Sequence, residues 1–100
     1  MSDYQYTKDW FNWAPRVWEQ LIPHLPERKN FLEIGSFEGR SAVWTVQHMM
    51  EDGGEIVCID TWEGGAEHVN GEMSGAEDRF KHNIDLIMKN FVDRTVQPIK

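Results

Sequence analysis

The sequence predicts an α/β fold: a helix followed by a β-α-β-α-β run whose three short parallel strands lie in the order 3-2-1. Three observations carry that reading. Phe31–Gly35 and Glu55–Asp60 are short apolar runs with an acid at or near the end, which fits strands of a covered parallel sheet. The segment between them, and another beyond residue 75, repeat apolar residues at helical spacing. The connection from the first run to the second is long enough for the crossover that parallel pairing requires.

The first element is a helix over Asn12–Ile22, with Trp10, Ala14, Val17, Trp18, Leu21 and Ile22 on one stripe and Asn12 as its cap. Pro15 then falls in the first turn, where its missing N–H costs nothing, and Pro23 and Pro26 forbid continuation. Phe31–Gly35 is the first strand, buried except for its one carboxylate. Ser41–Met50 is the next helix, closed by Glu51-Asp52-Gly53-Gly54. Glu55–Asp60 is the second strand. Residues 61–73 hold three glycines, many acids and no periodicity, the composition of an irregular excursion that carries function. Ser74-Gly-Ala-Glu77 reads as a capping box opening a helix with Ala76, Phe80, Ile84, Ile87, Met88 and Phe91 on its apolar face. Thr95–Ile99 is a third strand, and Pro98 assigns it to a sheet edge. The sum is one Rossmann-like half of a doubly wound sheet.

A chain of 100 residues is one domain, spanning 1–100. No apolar run approaches the length of a membrane span, and the N-terminus lacks a basic start and an apolar signal core, so a soluble, cytoplasmic protein is expected. The single Cys58 cannot form an internal disulfide, which agrees with a reducing compartment, and it lacks the companions of a zinc site; no metal is expected. The net charge of -7 is uneven: six acids against five bases in residues 1–50, nine against one in 51–79, and two against four in 80–100. Such an acidic middle repels phosphate backbones, and no basic cluster elsewhere offers a nucleic-acid surface.

In doubly wound sheets ligands bind at the carboxyl ends of the strands, which places Glu33 and Asp60 at the candidate site. The first loop, Glu33-Ile-Gly35-Ser-Phe-Glu-Gly39-Arg-Ser41, has two glycines four apart. It matches neither the G-x-G-x-x-G dinucleotide fingerprint nor the P-loop pattern. Phe31–Ser41 resembles the first motif of class I S-adenosylmethionine-dependent methyltransferases, and Ile56–Asp60 their second strand with its ribose-binding acid. Asp60-Thr-Trp62-Glu-Gly64 and Phe80-Lys-His-Asn83 look more narrowly like small-molecule methyltransferases. The resemblance spans residues 10 to 100 and implies S-adenosylmethionine as cofactor. It also implies that the chain ends before the fourth strand of the full fold.

What the resemblance implies can be assigned by chemistry. Backbone N–H groups over Gly35, Ser36, Phe37 and Gly39, with the Ser41 hydroxyl, are expected to hold the cofactor carboxylate. Glu33 faces the ammonium, Asp60 the ribose diol, and Thr61 and Trp62 flank the adenine. Each has a plainer competitor: Glu33 capping nearby amides, Asp60 starting a turn, and Trp62 packing under the loop. His68 is the weak candidate for a catalytic base because it lies in the 61–73 excursion. Two functions follow: a methyltransferase, or its cofactor-binding half, acting on an O or N nucleophile of a small molecule; or a non-catalytic nucleoside-binding module or interaction domain. The strand 31–35 is left at an open edge, which predicts a cover: a second copy as a homodimer, the N-terminal residues 1–11, or a partner chain.

Overall fold

The structure, a computed structural model, describes residues 3–63 and 75–100. Helix α1 covers Ala14–Leu21 and runs into a single tight turn, Ile22–His24. Strand β1 (Asn30–Ile34) is followed by α2 (Arg40–Trp44), whose last turn widens over Thr45–Met49. Strand β2 (Glu55–Ile59), helix α3 (Ala76–Met88) and strand β3 (Thr95–Ile99) complete the order. The strands are parallel in the sequence β1-β2-β3 across the sheet, with Phe31 opposite Ile56 and Ile56 opposite Val96. Pro98 sits on β3, an edge strand among the described residues, opposite Cys58.

Two local expectations are corrected. Asn12 does not cap α1. Trp13 occupies the cap position with helical dihedrals, because turns from Asp9 to Asn12 and from Phe11 to Ala14 already coil the chain and leave no extended residue to reach back. Helix α2 does not continue regularly to Met50. The Thr45 hydroxyl donates to the Ser41 carbonyl, a side-chain bond that competes with the helix ladder, and the Met50 N–H reaches back five residues to Thr45. At the start of α3 the cap position falls on Gly75, which makes no side-chain bond, and the Glu77 carboxylate pairs with Lys100 (2.7 Å) and Lys81 (3.5 Å). Ser74, His68 and residues 64–73 of the expected excursion lie outside the described residues.

The core lies on one face of the sheet. Ile56 and Cys58 of β2 meet Ala42, Val43 and Val46 of the α2 segment and Ala76, Phe80, Ile84 and Ile87 of α3. Two crossovers of the same hand, stepping in the same direction along the sheet, put both helices on that face. The other face of β1 is therefore open. Leu32 is 65 % and Ile34 78 % exposed, whereas the sequence read this strand as buried apart from Glu33. Of the N-terminal residues, Phe11 lines a cavity beside β1. Residues 3–9 lie over the glycine loop and α3, bonded to Glu38, Arg40 and Asn83. No helix among the described residues is long and apolar enough to cross a membrane.

Candidate functional site

The site is built on the turn that leaves β1. Gly35 ends the strand with φ +86°, and a Cβ there would meet nothing within 4 Å among the described residues. Its N–H donates to the Ile59 carbonyl (2.8 Å), which ties the turn to the end of β2. Phe37 follows at φ 47°, a left-handed conformation uncommon for a bulky residue, and its N–H donates to Asp60 Oδ2 (2.8 Å). Gly39 sits at φ +81°, and its N–H donates to the Ser36 carbonyl (2.8 Å). A Cβ on Gly39 would lie 2.9 Å from Phe80 Cδ2, so this glycine serves the approach of α3. The amides of Gly35, Phe37 and Gly39 are thus engaged within the protein, on the Ile59 carbonyl, the Asp60 carboxylate and the Ser36 carbonyl.

The two strand-end acids have different surroundings. Glu33 is mostly buried. Its Oε2 accepts from the Ser41 hydroxyl, while its Oε1 is buried with no partner among the described residues. Burial pushes the Glu33 carboxyl above the ordinary range, the Ser41 and then the Ser36 hydroxyl work against the rise, and the nearby Asp60 charge adds to it. Ser36 Oγ is likewise buried and unpartnered among the described residues. Among the described residues, then, two buried polar atoms beside an open glycine lack the hydrogen-bond partners that buried polar groups ordinarily have. Asp60 accepts from the Phe37 N–H (2.8 Å) and from the Trp62 N–H (2.9 Å), so it holds the loop and turn together and retains further acceptor capacity. The Ser41 hydroxyl is committed to Glu33.

Trp62 is only 5 % exposed and sits at φ 59°; its ring packs tilted against Phe80 at a centroid distance of 4.8 Å, and its indole N–H donates to the Phe37 carbonyl (2.6 Å). Its ring belongs to the core. Thr61 is exposed and accepts from the Glu63 N–H (3.2 Å). Cys58 is buried, and burial pushes its thiol up to about 12.

Sequence reasoning missed Glu38, only 2 % exposed. Its carboxylate takes the Arg79 guanidinium (2.5 Å) and both the N–H (2.8 Å) and hydroxyl (2.6 Å) of Thr7. Asn83, fully buried, donates to the Glu38 carbonyl (2.8 Å) and clasps Gln5 from both sides. The available signal was the spacing of Arg79 and Asn83, four apart and flanking Phe80 and Ile84 on the inward side of α3.

Two cavities open on this turn. One of about 160 Å³ is lined by Lys8, Trp10 and Arg40 together with Gly35–Glu38; the other, of about 480 Å³, runs between α1 and β1 and includes Glu33. They share Phe11, Gly35 and Ser41. Among the described residues no three His, Cys, Asp or Glu side chains gather as metal ligands would.

A family model described as a methyltransferase domain matches residues 32–99, from within β1 to the end of β3. No individual curated protein and no solved structure matches the chain. The matched stretch takes in both strand-end acids and the whole glycine turn. With the parallel sheet and its helices, it establishes that the chain belongs to the methyltransferase-domain family, of the class I S-adenosylmethionine-dependent kind.

Proposed function

We infer that the turn after β1 binds S-adenosylmethionine and that the domain serves methyl transfer to an oxygen or nitrogen of a small molecule in the cytoplasm. The observation that carries this reading is the pair of buried atoms, Glu33 Oε1 and Ser36 Oγ, that have no partner among the described residues, beside a glycine where a side chain would meet none of those residues. An ammonium group at Glu33 would satisfy its free oxygen and offset the cost of a desolvated carboxylate. Asp60, at the end of β2, accepts from the ribose hydroxyls with the lone pairs its two loop bonds leave over. The Ser36 hydroxyl supplies a further polar contact in the same turn.

Bound there, S-adenosylmethionine supplies an electrophilic methyl group. The chain's own part is alignment and exclusion of water, the contributions an in-line displacement draws on most. Isothermal titration with S-adenosylmethionine and S-adenosylhomocysteine tests the reading. Heat with both, reduced about tenfold or more in affinity by Glu33→Ala, is the expected result. No heat with either ligand overturns the cofactor site, and the non-catalytic cofactor-binding reading with it.

A further inference from the structure

The anion-binding end of the site needs a holder, because three loop amides that could have served are already spent on Ile59, Asp60 and Ser36. The smaller cavity supplies candidates from the N-terminal segment. Lys8 and Arg40 both line it, and the Trp10 ring stacks on Phe37 at 4.8 Å across its rim. Glu38 lines it too, but its carboxylate oxygens are taken up by Thr7 and Arg79. The segment is pinned on both sides of Lys8. Thr7 is held by Glu38 through two bonds, and Asp9 is held by Arg40 at 2.6 Å. A lysine between two such tethers has its backbone fixed before any ligand arrives, so less entropy is lost when its ammonium engages.

The two neighbouring cavities therefore differ in character: the cations Lys8 and Arg40 line one and the Glu33 carboxylate the other, with Gly35 and Ser41 common to both. An α-amino-acid group, ammonium toward Glu33 and carboxylate toward Lys8, matches that polarity. We propose that Lys8, carried by the tethered segment 3–11, is the residue that binds the carboxylate of the cofactor's amino-acid end, with Trp10 closing the cavity over it. This rests on the S-adenosylmethionine reading above.

The experiment compares titrations of S-adenosylmethionine and of decarboxylated S-adenosylmethionine, which keeps every group except the carboxylate, into the full chain and its Lys8→Met and Lys8→Arg variants. Lys8 is exposed, so neither variant endangers the fold, and unchanged melting confirms this. Lys8→Met should weaken S-adenosylmethionine binding about five- to tenfold, leave the decarboxylated ligand within about twofold, and be rescued by Lys8→Arg. Equal weakening of both ligands assigns Lys8 only to shaping the segment and overturns the proposal. So does no weakening of either. If the unaltered chain binds S-adenosylmethionine normally in those cases, the cofactor site itself stands; if it binds neither ligand, both readings fall.

Discussion

Gly39→Ala separates a glycine needed by the fold from one needed by a ligand. The new Cβ would sit 2.9 Å from Phe80 Cδ2, closer than real Cβ contacts come, and 3.3 Å from its Cε2, tighter than most of them. Phe80 cannot yield easily, being 1 % exposed and packed against Trp62. Overpacking of this kind costs about 1–3 kcal/mol. The backbone at φ +81° adds about 1–2 kcal/mol for any L residue, partly returned by the lower entropy of an unfolded chain bearing alanine. The net loss is about 2–4 kcal/mol, a large part of the roughly 5–15 kcal/mol of a domain this size. It corresponds to a melting temperature lower by about 10–25 °C. Gly35→Ala shares the backbone cost at φ +86° but meets no atom within 4 Å, so it should melt only about 4–10 °C below the parent while losing cofactor affinity. Thermal unfolding followed by circular dichroism measures both, and Phe80→Leu added to Gly39→Ala should recover part of the loss by vacating the contact. Equal melting of the two alanine variants would refute the assignment of Gly39 to packing against α3.

Further outcomes follow from the same contacts. Burial raises the folded-state pKa of Glu33, so the folded chain holds that proton more tightly than the unfolded one; the stability it contributes is present below the ordinary carboxylate pKa and lost as pH rises through the raised value. Glu33→Gln should therefore melt higher than the parent near pH 7–8 and lose that advantage near about pH 4; parallel melting-pH curves would contradict the burial argument. Trp62→Phe removes the donor to the Phe37 carbonyl at 2.6 Å and should cost about 1–3 kcal/mol by urea unfolding, a change under about 0.5 kcal/mol counting against that bond. Arg79→Met leaves the Glu38 carboxylate, 2 % exposed, without its guanidinium and should cost about 3–5 kcal/mol, most of it restored by adding Glu38→Gln. Ile34→Lys, at a side chain 78 % exposed, should shift stability by less than about 0.5 kcal/mol, and a larger loss would show that the open face of β1 is covered in solution.

The order of elements was legible from residues 12 to 99 because each is written in a local code: short continuous apolar runs for strands, apolar stripes at period 3.6 for helices, and glycine or proline at the boundaries. Glu33, Asp60 and the glycine turn were legible for the same reason, since an acid at a strand end and a residue that must turn left-handed are properties of neighbouring positions. What the tertiary structure alone decided is what those residues touch. Gly39 is a glycine because Phe80 arrives over it, Trp62 is a core residue because Phe37 and Phe80 pack on it, and Glu38 is buried because Arg79 pairs its charge and Thr7 donates to its oxygens. Those partners lie tens of positions apart, 31 for Thr7 and Glu38, 41 for Glu38 and Arg79, and 78 for Gln5 and Asn83. Contacts across such separations leave no period in the sequence. They exist only once the sheet has brought the start of the chain, the glycine turn and α3 to one place, where burial, not propensity, sets the role of each side chain.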